Sequence, residues 1–103
     1  MDNEKSDTKM ITLYDLYLYS KKDKSDEKYH QVSSYNIEGP RLGNELWSMA
    51  QIGKLQGKTH MMILVNLSVD VKVYNLKLTS LFGKYKKRDF YFRLADVLAK
   101  KHG

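Results

Sequence analysis

The chain has 103 residues, 42% of them hydrophobic and 29% charged, which suits one compact domain with one modest core. It contains no cysteine, so disulfide staples, thiolate zinc sites, iron–sulfur clusters and cysteine nucleophiles are excluded. Eighteen Lys and Arg against twelve Asp and Glu leave a formal net charge of +6, which favours polyanionic partners and says nothing about fold.

The longest apolar run, Met61-Met62-Ile63-Leu64-Val65, is far too short to read as a membrane span. The first nine residues are mixed in charge and lead into no signal-peptide pattern, so a cytoplasmic location and no membrane partner are expected. They also lack aromatic and branched aliphatic side chains and cannot offset the entropy of ordering. The expected organisation is a flexible tail over 1–9 and a single α+β domain over 10–103.

From Met10 to Tyr19 the residues suit a pleated surface, and a strand is predicted. Both parities are apolar, so the strand is expected to be central or to face a partner. Leu13, Leu16 and Tyr17 also fit helical spacing, which makes a short helix the competing reading. A charged loop over 20–28 and a polar strand from Tyr29 to Asn36 complete a hairpin with a long tip. Gly39-Pro40 is read as a break. Beyond it, Asn44 is expected to cap a short helix over Glu45–Ile52 that Gly53 ends, with Leu46, Met49 and Ala50 on its apolar face and Trp47 at the flank.

Two further strands follow, Met61–Leu67 and Val69–Leu78, joined by a turn near Asn66–Asp70. In the second, the apolar parity of Val69, Val71 and Val73 gives way to that of Tyr74, Leu76 and Leu78, which implies a bulge or a change of burial near Tyr74. Ser80–Arg88 reads as a basic connection around Gly83. Asp89 is placed to cap a last helix over Phe90–Lys101, with Phe90, Leu94, Val97 and Leu98 as its apolar stripe and Lys100, Lys101 and His102 complementing the dipole at its end. The order ββαββα describes a two-layer α+β fold: a four-stranded, mostly antiparallel sheet with two helices packed on one face.

The positive charge is unevenly spread. The last 46 residues hold ten basic and three acidic side chains, while the first 57 hold eight and nine. The densest stretch is Lys84-Tyr85-Lys86-Lys87-Arg88, followed by Tyr91 and Arg93. Cations there can neutralise phosphates, and Tyr85, Tyr91 or Phe92 can stack on exposed bases, the combination used by single-strand binders. Nucleic acid is therefore the first-choice partner, and Lys84, Tyr85, Lys86, Lys87, Arg88, Tyr91 and Arg93 are the candidate contacts. A solvated basic loop beside a partly buried Phe90 and Phe92 is the plainer reading of the same residues.

Eight tyrosines offer a different surface. Tyr14, Tyr17, Tyr19, Tyr29 and Tyr35 all fall on the first hairpin, where an exposed aromatic face would dock on a host protein or on a second copy as a homodimer. Packing of those rings under the helices is the alternative. Asp70-Val71-Lys72 has the acid-x-lysine spacing of metal-dependent nucleases, but no convincing upstream acid accompanies it, and an alternating solvent face explains it as well. His30, His60 and His102 are dispersed, so no metal site and no cofactor is expected. The glycines form no phosphate-cradling loop. No catalytic residue is assigned. In composition alone the chain is similar to small accessory proteins of bacteriophages and mobile elements, and that resemblance implies nucleic-acid binding or inhibition of a host protein without carrying any residue over.

Overall fold

A computed structural model describes residues 11–20, 31–84 and 86–102. The expectations for the tail over 1–9, most of the charged loop, Tyr29, His30 and Tyr85 lie outside those residues.

The elements in chain order are β1 (Leu13–Tyr19), β2 (Gln31–Glu38), α1 (Gly39–Gln56), β3 (His60–Asn66), β4 (Val71–Lys77), α2 (Leu78–Lys84) and α3 (Arg88–His102). The strands form one antiparallel sheet in the order β2-β1-β3-β4, so the predicted α+β class holds with one helix more than expected. Alternation decides which face the helices cover. Tyr14, Leu16 and Leu18 of β1 share a face with Met61, Ile63 and Val65 of β3, and all six are buried with Leu42, Leu46, Met49 and Ala50 of α1. β1 is central, as its two apolar parities implied.

The helix α1 begins earlier and ends later than expected. Pro40 falls in its first turn, where a missing amide hydrogen costs nothing, so Gly39-Pro40 starts the helix instead of breaking the chain. Glu38 is the N-cap, in extended conformation and without a side-chain cap bond, and Asn44 lies inside the helix. Gly53 is also internal: a Cβ there would stand 2.7 Å from Leu78 Cδ1 and 3.0 Å from Leu18 Cδ2, so glycine lets α1 settle against β1 and α2. The helix stops at Gly57, whose φ of 71° is left-handed, with Lys58 N–H donating to Gly53 O at 2.9 Å.

The expected bulge near Tyr74 is absent: β3 and β4 pair without interruption from His60 with Lys77 to Asn66 with Val71. The parity change is one of burial. Val71 and Val73 lie on the face away from the helices and are about half exposed, whereas Tyr74 and Leu76 pack towards the core. The irregularity sits between β1 and β2, where the register shifts and Asn36 takes a φ of 58°. Asp15 holds it there, accepting the Asn36 backbone N–H at 2.6 Å through one oxygen and the Asn66 side-chain amide at 2.8 Å through the other.

Most of the helix α2 falls within the connection expected over 80–88, with Leu78 and Leu81 buried three residues apart and Phe82 half-buried. In α3 the buried stripe is Tyr91, Ala95 and Leu98, turned by one position from the predicted one, and Val97 is exposed. The helix runs antiparallel to α1. Phe92 packs on Gly43, and the last turn is tied to the sheet by Thr12 Oγ1 donating to His102 O at 3.0 Å and by contact of Tyr74 with the His102 ring.

Candidate nucleic-acid interface

The short α2 and its three-residue link to α3 turn the chain back over the C-terminal end of α1. Lys84, Lys86 and Lys87 are exposed at this corner. Tertiary folding adds Lys54, from the last turn of α1, whose ammonium sits 5.3 Å from the centre of the Phe82 ring. Lys54 and Lys86 line one shallow cleft of about 200 Å³ together with Gln51, Phe82 and Tyr91. Two ammonium groups, an amide and an aromatic wall make a pocket suited to a phosphodiester group and poorly suited to a neutral apolar one.

The candidate residues divide by what they already touch. Arg88 donates to Asn44 Oδ1 and lies 4.8 Å from the Trp47 ring and 5.8 Å from the Phe92 ring, so its guanidinium is committed to the α1–α3 contact. Arg93 is exposed and sits 5.4 Å from the Phe90 ring. Tyr91 is 1% exposed and part of the core, which removes it as a stacking platform for bases. It faces inward because position 91 shares the buried side of α3 with Ala95 and Leu98. Burial pushes its hydroxyl above the ordinary tyrosine range. Phe92 is 42% exposed but is held between Gly43 and Arg88.

The hairpin tyrosines are scattered by the same alternation. Tyr14 is buried beneath the helices, its hydroxyl also raised by desolvation. Tyr19 is buried on the opposite face, where it stacks on His60 and its hydroxyl donates to Asn75 Oδ1 at 2.9 Å, reaching from β1 across β3 to β4. Tyr17 is half-buried and Tyr35 is 64% exposed. The described tyrosines of the hairpin therefore do not make one aromatic docking face.

Asp70 and Lys72 pair with each other at 3.4 Å at the exposed start of β4, and Asp70 accepts the Val71 N–H at 2.7 Å. That backbone bond, then Lys72, holds the Asp70 carboxyl below its usual range. No group of three or more potential metal ligands gathers among the described residues. No helix among them is long and apolar enough to cross a membrane.

No protein family, curated protein or solved structure matches this chain. Its chemistry must be read from its own surface. On that surface Lys54 is a candidate residue that the linear pattern misses. It stands alone among neutral neighbours in a helix, thirty residues before the basic stretch, and nothing in that spacing ties it to Lys84–Arg88.

Proposed function

We propose that the protein is a small, non-enzymatic accessory or regulatory protein that binds nucleic acid through the basic corner formed by the end of α1, α2 and the α2–α3 link. The observation that carries this reading is the convergence of Lys54 and Lys86 on one polar cleft, with Lys87 exposed in the α2–α3 link and Lys84 exposed at the end of α2. With Tyr91 in the core, binding is governed by phosphates more than by base stacking, so it is broadly sequence-tolerant and strongly salt-dependent. A nucleic-acid partner also fits a cytoplasmic site of action.

Fluorescence anisotropy of labelled single- and double-stranded DNA and RNA at several salt concentrations tests it. The variant is Lys54→Gln/Lys86→Gln/Lys87→Gln, which leaves Arg88 and its packing intact. Each lost phosphate contact removes roughly 0.7 (single strand) to 0.9 (duplex) from the slope of log K against log salt, so the slope should flatten by about two to three. Absence of binding by the unaltered protein at low salt, or an unchanged slope in the variant, would refute the proposal.

A second reading, a protein-binding inhibitor or adaptor, is favoured by Tyr35, which projects from the edge strand β2 beside the irregularity that Asp15 holds. Capture of a host protein that Tyr35→Ser abolishes, in a protein that binds no nucleic acid, would support it.

A further inference from the structure

The two sides of α2 differ in chemistry. Helical spacing sends Phe82 to the side facing Lys54 and sends Ser80, Leu81 and Lys84 to the other. On that second side lies a cleft of about 230 Å³ between α2, β4 and α3, with Leu76, Leu81 and Leu94 at its base and Lys77, Ser80 and Lys84 at its rim. Its lining is mainly apolar, in contrast to the cleft around Lys54. No acidic side chain is among the described residues that line it. One turn beyond Leu94 on α3, Val97 is 60% exposed and extends the apolar surface. The cleft opens at β4, an edge strand of the sheet.

We infer that this groove is a docking site for an acidic segment of another protein that carries leucine-class side chains. Charge complementarity selects the occupant. An apolar base rimmed by two lysines matches a segment whose aliphatic side chains enter the cleft while its carboxylates meet Lys77 and Lys84. A phosphate backbone would gain from the rim and nothing from the base. A second copy of this chain brings a like net charge of +6. The inference does not rest on nucleic-acid binding at the Lys54 cleft: the two clefts lie on opposite sides of α2 and share no lining residue, and Lys84 is the one lysine of the basic corner that also borders this groove.

The probe is a fluorescein-labelled peptide of alternating glutamate and leucine, beside a control with serine in place of leucine. Two variants report on the groove: Lys77→Glu/Lys84→Glu reverses the rim, and Ser80→Trp fills the cleft from an exposed position without changing charge. Circular dichroism confirms that each is folded. The leucine peptide should bind the unaltered protein, with losses of at least about tenfold for the serine control and for each variant, equivalent to roughly 1.4 kcal/mol. Amide shifts in the unaltered protein should cluster at Leu76, Ser80 and Leu94, a readout that needs no variant. The Lys54→Gln/Lys86→Gln/Lys87→Gln protein should bind the peptide undiminished, which separates this site from the nucleic-acid corner. Absence of binding, equal affinity for the serine control, full binding by Ser80→Trp, or displacement of the peptide from that triple variant by an oligonucleotide would overturn the inference.

Discussion

Arg88 is the residue whose role the structure redefines most, and replacing it measures the redefinition directly. Its guanidinium donates to Asn44 Oδ1 and faces Trp47 and Phe92, so it joins the start of α3 to the middle of α1. A hydrogen bond from a charged group contributes up to about 1.5–3 kcal/mol, and at this exposed position about 1 kcal/mol is appropriate. Exposed cation–π contacts contribute roughly 0.5–1 kcal/mol each, and the more distant Phe92 contact lies at the weak end. Arg88→Gln should therefore destabilise the protein by about 2 kcal/mol, a fall in Tm of roughly 8–16 °C for a domain of this size. Urea unfolding reads the change, and a double-mutant cycle with Asn44→Ala should return a coupling near 1 kcal/mol. The same variant should leave the salt slope of nucleic-acid binding unaltered, because the charge is engaged within the protein. Stability unchanged to within about 0.3 kcal/mol, together with a slope flattened by about 0.7–0.9, would show that Arg88 is a phosphate ligand and that the reasoning is wrong.

Two other measurements bear on the packing. Gly83→Ala and Gly53→Ala make the same chemical change inside helices, yet they should differ in sign. A Cβ at Gly83 meets nothing within 4 Å, so alanine gains up to about 1 kcal/mol of helix propensity. At Gly53 the Cβ runs into the buried Leu78 and Leu18, where overpacking costs about 1–3 kcal/mol and outweighs the same gain. Chemical denaturation compares the two, and a Gly53→Ala protein more stable than the original would contradict the close approach of α1 to β1. Stability should also decline at alkaline pH. Tyr14 and Tyr91 keep their protons above the ordinary tyrosine value of 10.0 in the folded state, whereas the unfolded chain releases them near it. The folded state then binds more protons, so stability is fully present below pH 10 and falls as pH rises through the folded values. Replacing both tyrosines by phenylalanine should make the decline shallower, and an equally steep loss in the double variant would assign it to other groups.

Much of the fold was legible because alternation and helical spacing are local. Leu16 and Leu18, Ile63 and Val65, and the run through α3 each announce their element within a few residues. The end of α1 was not legible, because Gly53 reads as a stop unless one knows that Leu18 and Leu78 leave no room for a side chain there. The start of α1 is ambiguous for a related reason: Pro40 is compatible with a first turn as well as with a break. The helix α2 did leave a signal, Leu78, Leu81 and Phe82 at helical spacing, which the surrounding lysines and Gly83 obscured.

The absence of cysteine chemistry, the α+β class and the concentration of positive charge in the last 46 residues are all legible in the order of residues. Those are properties of composition and of near-neighbour periodicity. Which of the charged and aromatic side chains reach solvent together depends instead on the packing of the folded chain. It joined Lys54 to Lys86, committed Arg88 to Trp47 and Asn44, and took Tyr91, Tyr14 and Tyr19 out of solvent. A surface is assembled by elements that meet in space, and the rotation of α3 by one position was enough to exchange Val97 for Tyr91 between solvent and core.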